Sequence, residues 1–404
     1  MNKPTIRFDY TDDWEKDIFE NIYVEASEGG TPDTRISEYY KNGEIPFAKI
    51  EDTEKKYIYD TVNHITKSGL NNSSAWIVPK DSVIFTNGAT VGNVSINKIP
   101  ISTKQGILGI VPKANYYNEF LYYLLSGKRF QKEVRMRIAK GTFDTIILGK
   151  LNEIAFNKPC FSEQEKIASF LSNIDSLIEE KKNELEKTKQ YKEAMLYKMF
   201  PNEGSKVPEI RFKGFEGEWK IDLLSNNVTY FGGLTYSPKD IVLKNGTLVL
   251  RSSNVQNGEL CFDDNVYVNS NVVNVCNVEK NDIIVVVRNG SRQLIGKHAL
   301  VRKALDKTVI GAFMTGIKSD SPYFINALLS TQEFKKQISE HMGATINQIT
   351  GGTFNQLYFA FPSKKEQEKI GLFFDNLDIL IKNISDEINT LENYKATLLE
   401  KMFA

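Results

Sequence analysis

Residues 159–178 read PCFSEQEKIASFLSNIDSLI, and residues 362–381 read PSKKEQEKIGLFFDNLDILI. Carried on to 201 and 404, the two stretches align without a gap at a shift of 203 residues, with 18 identities over 43 positions. Glu163 meets Glu366, Asp175 meets Asp378 and Phe200 meets Phe403. A match of that length is an internal duplication. In the second copy Ile370, Leu377, Ile384, Leu391 and Leu398 recur every seven residues, with Phe373, Leu380 and Tyr394 as companions and Phe374, Ile381 and Ile388 beside them. The first copy carries the same stripe in Ile167, Phe170, Ile174, Leu177, Tyr191 and Met195, interrupted at Lys181 and Thr188. A heptad stripe of this kind specifies helix packed on helix. Around 38 residues at 1.5 Å rise make a rod of roughly 57 Å. One stripe alone fits a generic coiled-coil spacer; two matched stripes in one chain favour pairing with each other, antiparallel. Pro159 and Pro362 stand just ahead of each helix, where proline blocks extension upstream.

The duplication continues outward. Pro4, Ile6, Arg7 and Phe8 recur as Pro208, Ile210, Arg211 and Phe212, followed by Trp14 and Trp219. Lys41-Asn42-Gly43 recurs as Lys244-Asn245-Gly246, and Leu124-Leu125-Ser126 as Leu328-Leu329-Ser330. Between these landmarks the halves diverge. The order is therefore a variable domain (1–158), a helix (159–200), a linker (201–208) with breaker residues Pro201, Gly204 and Pro208, a second variable domain (209–361) and a second helix (362–404). In each variable domain an apolar strand-like run, Val83–Phe85 or Ile283–Val287, follows a turn at Lys80-Asp81 or Asn281-Asp282. These runs lead into the loops TNGATVG at 86–92 and RNGSRQLIG at 288–296. Residues 119–134 and 324–338 have the spacing of amphipathic helices. The expected fold class is α/β (α+β): two variable globular domains separated by two long helices that form an antiparallel intramolecular coiled coil, with pseudo-twofold repetition.

The 404 residues are 41% hydrophobic and 25% charged, enough apolar material for the cores of two or more domains. No apolar run reaches membrane-spanning length, and the opening MNKPTIRFDYTDDW lacks a signal-peptide core, so a cytoplasmic protein is expected. Cys160, Cys261, Cys276, His64, His298 and His341 are scattered, which argues against a disulfide framework and a zinc site. The 51 basic and 51 acidic residues cancel, so phosphate binding would need local clusters. Two exist. Lys128, Arg129, Lys132, Arg135, Arg137 and Lys140 stand against Glu133 alone; Arg288, Arg292, Lys297, Arg302, Lys303 and Lys307 stand against Asp306 alone. A charge run is commonly a solvated face, but these adjoin loops whose polar side chains could read base edges. There is no P-loop, no G-x-G-x-x-G and no Asn/Asp-Pro-Pro-aromatic methyltransferase motif. Asp33 with Glu54 and Lys56 loosely fits a carboxylate-lysine nuclease pattern, although Pro32-Asp33 reads as a turn after Gly29-Gly30-Thr31.

Four features combine: the repeated E-Q-E-K-I run with its I/L-D-x-L-I step, the Pro-x-Ile-Arg-Phe leaders with a following Trp, the aspartate-strand-glycine loops at 81–92 and 282–296, and Gly29-Gly30-Thr31-Pro32 leading to Gly43-Glu44-Ile45-Pro46. Together, over the whole chain, they resemble the specificity subunits of type I restriction-modification systems. The resemblance implies two target recognition domains, each binding one half of a bipartite double-stranded DNA site, with the helices as spacer and docking surface. It also implies two modification (methyltransferase) subunits that bind S-adenosylmethionine and methylate adenine, and restriction subunits that use ATP and Mg. This chain would then hold no cofactor, metal or catalytic residue and meet no membrane. Half-sites about one helical turn apart, ~34–36 Å, suit such a geometry. Loop position and side-chain type single out Arg35, Lys49, Thr86, Asn87, Thr90, Lys104, Arg137 and Lys140 as DNA contacts in the first domain. In the second they single out Lys239, Arg251, Asn254, Arg288, Asn289, Arg292 and Gln348. The competing readings are a self-sufficient nuclease or methyltransferase, and a coiled-coil scaffold that binds only protein.

Overall fold

The computed structural model describes residues 4–139, 141, 144–202, 204–342 and 348–403. The two long helices run Phe161–Met199 and Lys364–Met402, 39 residues each. The chain divides into two units, residues 1–181 with 387–404, and residues 182–386. Each unit thus takes one globular domain together with part of both helices, a grouping that cuts across the linear domain order.

In the first unit a five-stranded sheet has the order 23–28, 107–112, 83–86, 94–97, 57–58. Its central strand Val83–Thr86 is buried at every position, as the apolar run Val83–Phe85 demands. Asp81 makes the preceding turn at φ +63°, a left-handed conformation that Asp and Asn tolerate better than most residues. A second sheet orders 64–65, 45–48, 101–103 and 77–78, with 45–48 and 101–103 parallel. The second unit repeats the plan: 229–232, 314–318, 283–286 and 298–300 form the antiparallel sheet. A smaller sheet again pairs two strands in parallel, 247–250 with 308–310. Asn281, at φ +74°, takes the place of Asp81.

The amphipathic stretches expected as single helices are each two. Asn118–Ser126 gives way to Lys128–Arg137, and Pro322–Ser330 to Gln332–His341. Gly127 and Thr331 are extended at the junctions, with ψ near 142° and 158°. The Thr331 hydroxyl accepts from the Phe334 N–H at 3.2 Å, so this residue caps a new helix instead of continuing the old one.

The long helices pack antiparallel in both units. In the first, Lys395 binds Asp175 at 2.5 Å and Lys181 binds Glu387 at 3.1 Å, so numbers fall along one helix as they rise along the other. In the second, Lys192 binds Asp378. At the 203-residue shift, Asp175–Lys395 and Asp378–Lys192 are the same bond made twice. Ile167, Leu171, Ile174 and Ile178 are buried with Leu398, Met402 and Phe403 in the first core; Leu196, Met199 and Phe200 are buried with Ile370 and Phe374 in the second. The heptad expectation needs one correction. Leu177 and Tyr394 in the first unit, and Leu380 and Tyr191 in the second, are left with 40%, 52%, 44% and 51% of their surface exposed, although Tyr191 still meets Phe373 edge-on with ring centroids 6.5 Å apart. Phe374 and Ile388 are buried where Leu380 and Tyr394 are not.

Each leader motif locks a helix. The Arg7 guanidinium donates to both Glu163 carboxylate oxygens at 2.7 and 2.8 Å, and Arg211 does the same to Glu366 at 2.6 and 2.8 Å. Both glutamates are buried in the first turn of their helix, where negative charge is also favoured by the helix dipole. Backbone N–H groups of Thr5 and Ile6 bond the Lys401 carbonyl, and that of Ile210 bonds the Lys198 carbonyl. The helix ends plug into the globular cores: Phe403 packs on Trp14 and Phe120, and Phe200 on Trp219 and Phe324, with ring centroids 5.5 to 6.4 Å apart.

Candidate nucleic-acid interface

One hydrogen-bonded frame carries the candidate loops in both domains. In the first, the Asn87 and Gly88 N–H groups both donate to the Gly106 carbonyl, and Ile146 N–H donates to the Asn87 carbonyl at 2.9 Å. Gly88 faces Thr145 across an antiparallel bridge. In the second, Val287 and Arg288 N–H both donate to the Phe313 carbonyl, Ile349 N–H donates to the Val287 carbonyl at 2.8 Å, and Arg288 faces Gln348. The loops close alike: Gly92 N–H returns to the Thr86 carbonyl, and Gly296 N–H to the Val286 carbonyl, each at 2.9 Å. Both closing glycines have positive φ, +109° and +83°. The backbone is duplicated while the side chains on it are not.

Around the first frame the structure gathers several segments. Thr90 is exposed on the loop, and Lys104 is exposed beside the turn that holds Gly106. The Lys104 N–H bonds the Ala48 carbonyl, which brings Lys49 to the same rim. Gly106 N–H donates to Glu28 at 2.6 Å and Gln105 N–H to the Thr31 hydroxyl at 3.4 Å, so the 28–35 segment joins it. A Cβ at Gly29 would fall 1.9 Å from the Thr103 carbonyl oxygen, a close approach that only glycine permits. Gln131 donates to the Gly92 carbonyl at 2.9 Å and ties in the helix that ends at Arg137. In the second domain Asn289 donates to Ser252 at 2.9 Å, linking the long loop to the Arg251–Asn254 turn, and Arg292 reaches the Ser339 carbonyl at 3.3 Å. Lys239 is exposed on a separate short turn, Pro238–Asp240.

Several side chains expected at base edges are instead committed to the fold. Thr86 is buried and its hydroxyl accepts from the Asn93 N–H at 2.8 Å. Asn87 is buried and bonds the Ile146 carbonyl at 3.3 Å. Asn254, fully buried, braces the Cys261 and Asp264 carbonyls. These three shape the loops. Arg35 is forked onto Asp33, which holds that carboxyl down at about 2; Arg137 bonds Glu133 at 2.5 Å and Arg251 bonds Asp264 at 2.7 Å. Lys49 donates to Asn63 at 2.9 Å. Lys140 lies outside the described residues. Thr90, Lys104, Lys239, Arg288, Arg292 and Gln348 remain partly or fully open to solvent.

The basic runs divide as well. Arg302 is held between Glu259 and Asp375, and Lys128 lies 3.4 Å from Glu400 on the C-terminal helix, whereas Arg129, Lys132 and Arg135 are exposed. The nuclease pattern is dispersed: Asp33 belongs to Arg35, and Lys56 is enclosed by Glu119, Tyr123, Ser172 and Asp175. Burial lowers the Lys56 pKa against the opposing pull of Glu119. Among the described residues no group of three or more His, Cys, Asp or Glu side chains could hold a metal ion, and no helix is long and apolar enough to cross a membrane. Sequence reasoning missed Ser252 and Phe313, which belong to the second rim; the aromatic two residues after a glycine in Gly311-Ala312-Phe313 was the available signal for the latter.

This pairing of a sheet-borne loop frame with two antiparallel rods, made twice, defines a two-headed recognition protein. The type I restriction modification DNA specificity domain matches residues 11–187 and again 219–393, and the chain belongs to that family. It is similar to the type I restriction enzyme MjaIX specificity subunit of Methanocaldococcus jannaschii, 25% identical over 96% of this chain and 92% of that protein. Among solved structures, the type I restriction-modification S subunit from M. genitalium superposes with a TM-score of 0.66 at 15% identity, covering 100% of this chain and 99% of the other. A chain from a study of complex assembly and conformational transition of the type I system gives 0.57 at 15% identity, covering 96% and 97%.

Proposed function

We propose that this chain is the DNA sequence-specificity subunit of a type I restriction-modification assembly and does no chemistry of its own. The observation that carries the reading is the duplicated backbone frame bearing unlike side chains. A fixed scaffold with variable residues at its rim is what two readers of two different half-sites require. Thr90, Lys104, Lys239, Arg288, Arg292 and Gln348 supply outward donors for bases and phosphates, and Arg35, Lys49, Arg137 and Arg251 become available by exchanging a partner for a phosphate. In this reading residues 1–158 and 209–361 are the two recognition domains, and the rods space them. The exposed Leu177–Tyr394 and Leu380–Tyr191 pairs support the rods as docking surfaces for two modification subunits. S-adenosylmethionine would sit on those subunits, and ATP with Mg on restriction subunits.

The test is methylation by the chain reconstituted with its modification subunits and S-adenosylmethionine, read by sequencing methylated adenines. A bipartite motif is expected. The chain alone should neither methylate with S-adenosylmethionine nor cut with Mg²⁺. Activity of the isolated chain, or methylation by the complex without sequence preference, would overturn the reading. A protein-only scaffold predicts that reversing the charges of Arg288 and Arg292 leaves methylation intact; here assembly should persist while DNA binding is lost.

A further inference from the structure

Of the five arginines between residues 182 and 386, four are engaged by hydrogen-bond acceptors of the fold. Arg211 is forked onto Glu366, one Arg251 nitrogen donates to the carboxylate and carbonyl of Asp264, Arg302 lies between Glu259 and Asp375, and Arg292 donates to the Ser339 carbonyl. Arg288 differs. Among the described residues its guanidinium meets no hydrogen-bond acceptor; it lies over the Phe313 ring, 5.0 Å from the centroid. Arg288 is exposed and Phe313 is 54% exposed, so the stack stands at the surface. Gln348 is opposite Arg288 in the antiparallel bridge, which sets the two side chains on one face.

The first domain provides the contrast. Its residues in the same frame are Gly88 for Arg288, Gly106 for Phe313 and Thr145 for Gln348. The two glycines approach so closely that a Cβ on Gly88 would meet the Gly106 Cα at 3.1 Å, and Gly106 has a φ of +89°. At those two places the first frame has no side chain; the second carries a planar cation braced on an aromatic ring. Stacking on an aromatic face fixes the guanidinium plane while leaving its N–H edge free. A free, planar edge of this kind matches the O6 and N7 acceptors of guanine in the major groove, the commonest specific arginine contact.

We propose that the exposed Arg288–Phe313 stack, with Gln348 beside it, is the guanine-reading element of the second recognition domain, and that the first domain, with Gly88 and Gly106 in those places, has no equivalent pair at these positions among the described residues. The inference rests on the specificity-subunit reading and adds one base to it. Phe313 is a positioning residue that holds the arginine fork in plane; Arg288 touches the base.

The experiment compares the complete methyltransferase complex carrying wild type, Arg288→Ala, Arg288→Lys or Phe313→Leu on a duplex pool randomised through both half-sites. The expected result is relaxed discrimination at one G·C pair of one half-site, about 10- to 100-fold for Arg288→Ala, with the other half-site unchanged. Arg288→Lys keeps the charge but not the fork and should relax the same position; Phe313→Leu should relax it partially. Uniformly weaker methylation of every sequence, full specificity in Arg288→Lys, or an unaltered motif in Arg288→Ala would each overturn the inference while leaving the specificity-subunit reading standing. A wild-type complex with no sequence preference would sink that reading and this inference together.

Discussion

Arg7 and Arg211 perform one task at the heads of two helices, and the cost of losing it can be estimated. Each neutralises a glutamate with almost no solvent of its own. Removing one partner strands a buried charge, for which about 3 kcal/mol is the expected penalty. Arg7→Met should lower unfolding stability by about that amount in a denaturant titration, and adding Glu163→Gln should restore part of it, because the stranded charge is gone. A loss that is no smaller in the double variant would contradict the pairing. His298 offers a second residue-scale check. Its ring lies within 3.2 Å of the Gly296 and Asn326 carbonyls and the Ser330 hydroxyl, and burial depresses its pKa below the usual 6.5. The native state therefore binds this proton less readily than the unfolded chain. Stability from the neutral ring is complete above about pH 6.5 and drains as pH falls from there toward the depressed native value. A melting series between about pH 7 and 5.5 should show a steeper decline for wild type than for His298→Asn.

At the scale of elements, the helix ends matter more than their middles. Phe403 and Phe200 are each buried among aromatic rings of a globular core, so Phe403→Ala or Phe200→Ala should cost about 3–5 kcal/mol in its own unit. Hydrogen exchange would locate the loss in residues 14–18 and 118–126 for the first, or 219–223 and 322–330 for the second. The importance of these phenylalanines was legible in the sequence, since Phe200 and Phe403 stand at matched ends of the duplication. So were the central strands, because Val83–Phe85 and Ile283–Val287 have few alternatives to burial. Other features were not. Heptad spacing placed Leu380 and Tyr394 in the seam, yet periodicity records that a face is apolar without saying which chain covers it. The Arg7–Glu163 bond joins residues 156 positions apart, and no local pattern announces it. Thr86, Asn87 and Asn254 looked like base readers because polar residues in loops can face solvent or satisfy backbone groups, and only the folded frame decides which. Arg288 was visible as a candidate; its support by Phe313, 25 residues on, was not.

At the scale of the whole molecule, the exposed apolar residues of the rods form a repeated pattern. Leu177 with Tyr394, and Leu380 with Tyr191, are the same pair generated twice by the 203-residue shift, and each pair lies within one unit on neighbouring antiparallel segments. Single exposed apolar side chains on a surface need no explanation, but an identical pair preserved in both copies of a duplicated rod, where the copies elsewhere diverge as Ser169 against Leu372 and Ser176 against Ile379 in the alignment, marks positions with a shared task. Two equal pairs would suit two equal partners, each burying one pair. If modification subunits are those partners, Leu177→Glu with Tyr394→Glu should leave the chain folded, because exposed positions tolerate such changes within about 0.5 kcal/mol. The variant should bind one modification subunit where wild type binds two, and adding Leu380→Glu with Tyr191→Glu should abolish binding. Native mass measurement of the purified mixtures reads the stoichiometry directly. Two bound subunits in the doubly altered chain would show that the rods' outward Leu–Tyr pairs are not where the partners dock.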